Sequence, residues 1–266
     1  MADPLVSLAP LLDALQRRPF ALLCDVDGTL SPLAAAPGLA RVTPRNRTLL
    51  AQLSASILVA VVSGRDLVDL RRLVGLPEIV SIGLHGLAWR IAGSDELAPE
   101  AQPYRLLTRE AADELGHLTR IQGLVLEIKS VGLALHYRNA DRSARTQIMR
   151  AIASSPAACR FDIHEGIRMV ELRPPIGITK GVAVRRFADR FRLGGLLFLG
   201  DDITDIDAFE EVRALRGHSA LLGYGLAVVH EEAPAAAAAA ADFTLAGVAG
   251  VEWLLGEIAA RVSREP

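Results

Sequence analysis

A chain of 266 residues, 51% hydrophobic and 23% charged, has room for one large domain or two modest ones. A formal net charge of −2 leaves no electrostatic footprint for nucleic acid or an anionic membrane, and no apolar run is long enough to span a bilayer. Two cysteines, Cys24 and Cys159, make no disulfide framework, and Met1 to Arg18 lacks the basic start and apolar core of a signal peptide, so a reducing cytoplasm is the expected compartment.

In chain order, Leu5 to Arg17 has helical spacing and Phe20 to Cys24 reads as a buried strand. Pro44 to Leu53 is helical, Ile57 to Val62 a second strand, and Asp66 to Val74 a helix with Pro77 as its stop. Glu78 to Ile82 is a third strand, ending in Gly83-Leu84-His85-Gly86. This alternation predicts a parallel sheet. The pattern then changes to a helix over Tyr104 to Arg120, two paired strands over Leu124 to Ile128 and Gly132 to Tyr137, a helix over Ser143 to Ser154 and a strand over Met169 to Leu172. That order predicts a separate α+β unit at 103–176, inserted between a first core part (1–102) and a second (177–266). The parallel pattern resumes with a helix over Lys180 to Phe191, a buried strand over Leu196 to Leu199, a helix over Asp205 to Leu215, a strand over Leu226 to Val229, an edge strand over Phe243 to Leu245 and a last helix over Val248 to Val262. Pro234 to Ala241 reads as a short surface helix without chemistry.

The chemistry concentrates where strands end. Asp25-Val26-Asp27-Gly28-Thr29 follows the first buried strand directly, and buried charge without a partner is costly. A cation between the acids resolves that conflict and suits a carboxylate nucleophile beside a second, proton-transferring carboxylate. Gly200-Asp201-Asp202-Ile203-Thr204-Asp205 is dense in hard oxygen ligands of the kind magnesium takes. Ile203 and Ile206 break the order a calcium loop needs, and Asp205 could equally cap a helix. Ser63-Gly64-Arg65 fits either a plain turn or a phosphate site made of a hydroxyl and backbone N–H groups, and Lys180 could add a positive charge there. No G-x-x-x-x-G-K-[ST] loop is present, which disfavours that class of nucleotide triphosphatase.

Four ordered pieces, Asp25 to Thr29, Ser63, Lys180 and Gly200-Asp201-Asp202 with Asp205, resemble the haloacid dehalogenase (HAD) superfamily of phosphotransferases. The resemblance implies an α/β fold: a Rossmann-like parallel-sheet core with an inserted α+β cap. It implies that Asp25 is the nucleophile and that Asp27 protonates the leaving oxygen and then activates water. It places Mg²⁺ on Asp25, the Asp27 carbonyl and Asp201, oriented by Asp202 and Asp205, with Ser63 and Lys180 on the phosphoryl group. Asp27 must carry a proton in the first step, which calls for burial or a neighbouring acid.

Nearly the whole chain is similar to trehalose-6-phosphate phosphatases. The segments that carry this are Ser63-Gly64-Arg65, Gly83-Leu84-His85-Gly86, Glu127-Ile128-Lys129, Ala134-Leu135-His136-Tyr137-Arg138 and Val170-Glu171-Leu172-Arg173-Pro174. By that similarity Glu127, Lys129 and Glu171 bind sugar hydroxyls from a cap that closes over the site, and Arg65, His85, His136 and Arg138 join the substrate contacts. His136 and Arg138, as alternate residues on a strand, could instead pair with neighbouring acids. Three positions depart from the family: Ala88 and Ile206, each where glutamate is common, and Arg173, where lysine is frequent. The implied activity is Mg²⁺-dependent hydrolysis of trehalose 6-phosphate, coupled to a trehalose-6-phosphate synthase. The alternatives are a sucrose- or glucosylglycerol-phosphate phosphatase and a non-catalytic sugar-binding module.

Overall fold

The computed structural model describes residues 2–34, 37–166, 168–218 and 221–262. They fall into two compact units, one of Met1–Glu96 with Ile178–Pro266 and the other of Leu97–Gly177.

The elements, in chain order up to the second unit, are β1 (Asp3–Pro4), α1 (Leu12–Gln16), β2 (Phe20–Cys24), α2 (Pro44–Ser54), β3 (Leu58–Val62), α3 (Leu67–Val74), β4 (Val80–Gly83), β5 (Ala88–Ile91) and β6 (Ser94–Leu97). The second unit contributes α4 (Tyr104–Leu115), β7 (Val125–Ile128), β8 (Leu133–His136), α5 (Ala144–Ser154), β9 (Asp162–Gly166) and β10 (Met169–Arg173). The chain then adds α6 (Lys180–Phe191), β11 (Gly195–Gly200), α7 (Ile203–His218), β12 (Leu222–Val229), α8 (Ala235–Ala240), β13 (Phe243–Ala246) and α9 (Gly247–Val262).

In the first unit nine strands form one sheet in the order β1-β13-β12-β11-β2-β3-β4-β5-β6. Pairing from β1 to β4 is parallel, and β5 turns back antiparallel on β4. The apolar runs of β2 and β11 are buried at every residue because both lie mid-sheet. Phe187 of α6 and Phe209 of α7 pack into the same core as Phe198 of β11.

In the second unit β7-β8-β10-β9 form an antiparallel sheet. Leu133, Leu135, Val170 and Leu172 point from it into a cluster with Ala111 and Leu115 of α4 and Ile148 and Ile152 of α5. Side chains alternate along a strand, so Ala134, His136 and Glu171 take the opposite face.

Several expectations need correction. Phe243–Ala246 is an interior strand, because the two-residue β1 pairs outside it. Leu5 to Arg17 is one 3₁₀ turn followed by a short α-helix, since Pro10 cannot donate a helical hydrogen bond. The alanine-rich helix exposes Ala235, Ala236 and Ala239 and buries Ala237 and Ala238, so it is a surface helix packed by one face. The second unit starts at Leu97, ahead of the expected 103, because the 3₁₀ turn Pro99–Ala101 leads straight into α4.

Candidate active site

Residue order on adjacent strands brings the acids together. Leu199 of β11 is in register with Cys24 of β2, so Asp25 and Asp201 leave neighbouring parallel strands at the same end. The Asp25 N–H donates to the Leu199 carbonyl at 2.8 Å. From β2 the chain builds outward to β3 on one side, while β11 and β12 lie on the other. Such a reversal opens a crevice at the carboxyl ends of the strands.

Lys180, the first residue of α6 after the N-cap Thr179, reaches into this crevice. Its Nζ donates to Asp25 Oδ1 at 2.6 Å and to Asp205 Oδ1 at 2.7 Å. Asp205 lies in the first turn of α7, and its Oδ2 accepts from the backbone N–H groups of Asp201 and Asp202 at 3.1 and 3.0 Å. That is the reach-back of a capping-box acid, so Asp205 closes the helix start and fixes the Lys180 ammonium at once. Asp201 is held from both sides. Its Oδ1 accepts from Thr29 Oγ1 at 2.9 Å, and its Oδ2 lies 3.0 Å from His230 Nε2. Gly28 sits beneath it at φ +82°, and a Cβ there would fall 2.1 Å from Asp201 Oδ2, so only glycine fits.

Asp25, Asp201 and Asp205 are all buried and offer carboxylate oxygens within 4.8 Å of one another. Burial pushes the Asp25 carboxyl well above its ordinary value; Lys180 opposes this, and Asp205, Asp201 and Asp27 add to it. Burial and the Asp205 charge raise Asp201 to about 6, against the pull of His230, Thr29 and Lys180. Burial also raises Asp205, with Lys180 again opposing. For Lys180 itself burial acts downward, but Asp205 and Asp25 overcome it and hold the ammonium above its ordinary value. One lysine therefore faces three carboxyls. A hard divalent cation fits the remaining negative charge and the all-oxygen donor set. Asp202 contributes its backbone N–H to Asp205, and the cluster of three includes neither its carboxylate nor that of Asp27.

Asp27 is paired differently from expectation. Burial or a neighbouring acid was expected; the structure adds a guanidinium. Arg65 Nε donates to Asp27 Oδ2 at 2.6 Å and Arg65 Nη2 to Oδ1 at 2.7 Å. Arg65, expected on substrate, is here paired with the second carboxylate. Ser63, buried just past β3, receives the Arg65 N–H on its Oγ at 3.3 Å. The His85 N–H donates to the Ser63 carbonyl at 3.0 Å. Leu84 and His85 both have positive φ, at 52° and 56°, unusual for residues with side chains. A Cβ on Gly64 would strike the His85 ring at 2.4 Å, so Gly64 lets the two loops meet.

In the second unit, Glu171 ion-pairs with Lys129 and accepts from Arg173 Nε at 2.7 Å. Glu171 and Lys129 are nearly buried, with side chains 4% and 8% exposed. His136 Nε2 lies 2.7 Å from Glu127 Oε2, the acid pairing that its strand position allowed. Arg138 is exposed in the turn beyond β8, which ends at His136, so the two are not alternate residues of one strand.

Thr29 and His230 went unforeseen. Thr29 follows the first acids directly, and its hydroxyl could have been flagged. His230 carries no local signal: only the pairing of β12 with β11 sets it beside Asp201.

A family model described as trehalose-phosphatase matches residues 23–248. The trehalose-phosphate phosphatase of Mycobacterium avium (strain 104) is 36% identical over 208 residues, covering 76% of this chain and 53% of its own length. That of Mycobacterium leprae (strain TN) is 34% identical over 256 residues, covering 92% of this chain and 58% of its own length. The chain thus spans about half the length of the curated relatives it matches. The solved C-terminal domain of C. albicans trehalose-6-phosphate phosphatase superposes with a TM-score of 0.76 at 23% identity, covering 97% of this chain and 98% of that one, a likeness of fold.

Proposed function

The chain belongs to the trehalose-phosphatase family, and from that membership we propose that it hydrolyses trehalose 6-phosphate to trehalose and phosphate. The observation that carries this reading is the buried cluster of Asp25, Asp201 and Asp205 tied together by Lys180.

Asp25 is the nucleophile. One of its carboxylate oxygens bonds to phosphorus as the bond from phosphorus to the sugar oxygen breaks, and Asp27 gives that oxygen its proton. Asp27 then takes a proton from water, whose oxygen attacks the aspartyl-phosphate and frees Asp25. Splitting the hydrolysis this way divides one very slow step into two. Lys180 fixes the Asp25 rotamer through its 2.6 Å contact and, with Ser63, meets the phosphoryl oxygens. Asp25, the Asp27 carbonyl oxygen and Asp201 would hold Mg²⁺, with Asp202 and Asp205 orienting them. When bound, Mg²⁺ offsets the repulsion between a carboxylate and a phosphate dianion.

Glu127, Lys129 and Glu171 bind sugar hydroxyls, helped by His136 and Arg138, and His85 contributes beside Ser63. A disaccharide demands many polar contacts, and an unpaired buried polar group discriminates strongly against the wrong sugar. A trehalose-6-phosphate synthase supplies the substrate. The free thiols of Cys24 and Cys159 agree with a cytoplasmic site of action.

Phosphate release over a panel of trehalose 6-phosphate, sucrose 6-phosphate, glucosylglycerol phosphate and glucose 6-phosphate, with Mg²⁺ and with chelator, tests the reading. Turnover confined largely to trehalose 6-phosphate and lost on chelation supports it. Equal rates on all four substrates, or activity that survives chelation, refutes it.

A further inference from the structure

We propose that His230 is a positioning residue for the divalent-cation site, fixing the Asp201 carboxylate without itself binding the ion. The proposal rests on the phosphatase reading and extends it to a residue with no assigned role.

The placement comes from the sheet. β12 is in register with β11 up to Ala227 opposite Gly200 and runs on to Val229, so the loop that starts at His230 leaves the same end of the sheet as Asp201. Its Nε2 lies 3.0 Å from Asp201 Oδ2. An ionised carboxylate only accepts hydrogen bonds, so the ring nitrogen donates, and the tautomer or charge state carries its proton on Nε2.

Asp201 then has one protein partner on each oxygen, Thr29 Oγ1 on Oδ1 and His230 Nε2 on Oδ2. Each carboxylate oxygen has two lone-pair directions, so each keeps one for a cation. Two donors from different elements, the loop after β2 and the end of β12, stop the carboxylate from rotating. Gly28 closes the space below it. A rigid ligand loses less freedom when the ion arrives, which is how outer partners raise metal affinity.

A ligand role for His230 fits less well. The group of donor atoms that converge comprises three carboxylates and no imidazole. Magnesium-like cations also favour oxygen over imidazole nitrogen.

The test titrates Mn²⁺ into the full chain without substrate, reading free Mn²⁺ by electron paramagnetic resonance, for wild type, His230→Ala and His230→Gln. His230→Ala should weaken Mn²⁺ binding by about 10–100-fold. His230→Gln, whose amide N–H reaches the same place, should recover most of the loss. At saturating metal the kcat of His230→Ala should return toward wild type, which a role in the chemical step would not allow. If His230→Ala fails to fold, His230→Asn takes its place: its shorter amide should bind the ion weakly where His230→Gln binds it well. Unchanged Mn²⁺ affinity in the variants overturns the proposal and leaves the phosphatase reading standing. A directly bonded ¹⁴N in the spin-echo spectrum of wild type makes His230 a ligand and also overturns it. Wild type that binds no Mn²⁺ at all removes the cation site and this proposal together.

Discussion

Arg65 and Asp27 meet through two parallel hydrogen bonds, Nε to Oδ2 at 2.6 Å and Nη2 to Oδ1 at 2.7 Å. A bidentate guanidinium fixes the carboxylate plane. If Asp27 is the acid and base proposed above, Arg65 sets the direction in which its carboxylate faces the reacting oxygen. Arg65→Met is expected to lower kcat by roughly 10–100-fold, less than the ~10²–10⁴-fold of a general acid–base group itself because Arg65 acts only by positioning one. Steady-state kinetics checks this, and a rise in KM alone would return Arg65 to a simple substrate contact.

Lys180 is the buried cation between Asp25 and Asp205. Removing it strands two buried acids, and breaking a buried pair costs about 3–5 kcal/mol. Lys180→Met should therefore lose stability in urea unfolding at neutral pH and lose turnover. The loss of stability should shrink on acidification, since protonated acids no longer need the ammonium. A variant as stable as wild type at neutral pH would contradict the pairing.

The acids make metal-free stability depend on pH. Asp201 stands at about 6 in the folded protein against an ordinary 3.8, raised by burial and then by Asp205. The folded state thus holds that proton more tightly than the unfolded chain. The contribution is greatest below the unfolded value and is lost as pH rises through about 6. Asp25 and Asp205 are shifted in the same direction. Mg²⁺ should raise the Tm more at about pH 7.5 than at about pH 5, because only ionised acids bind it. Differential scanning calorimetry decides, and an equal rise at both pH values would speak against the cation site.

Glu171 accepts from Arg173 and ion-pairs with Lys129 in the second unit. If these groups bind sugar, Glu171→Gln should raise KM for trehalose 6-phosphate by about 10-fold or more, in line with the loss of a charged hydrogen bond. A drop in Tm with KM unchanged would make the cluster structural.

What could be read in the sequence was whatever one strand and its end announce locally. Asp25 and Asp27 after Phe20 to Cys24, and Asp201 after the β11 run, were legible because a buried apolar segment cannot end in acids without a partner. β5 went unread because Ala88-Trp89-Arg90-Ile91 is short and lacks clean alternation. β9 went unread because every residue of Asp162–Gly166 is exposed and leaves no apolar pattern. The Arg65 pair with Asp27 and the His230 contact with Asp201 join residues 38 and 29 positions apart. Strand order creates those contacts, and periodicity within a strand does not encode strand order.

The central claim is that Asp25 attacks phosphorus. Acid quenching during turnover of ³²P-labelled trehalose 6-phosphate, followed by peptide mapping, addresses it directly. Label should appear on the peptide containing Asp25 and vanish in Asp25→Asn, which should also be inactive. Turnover by Asp25→Asn at the wild-type rate, or label on a different residue, would contradict the account.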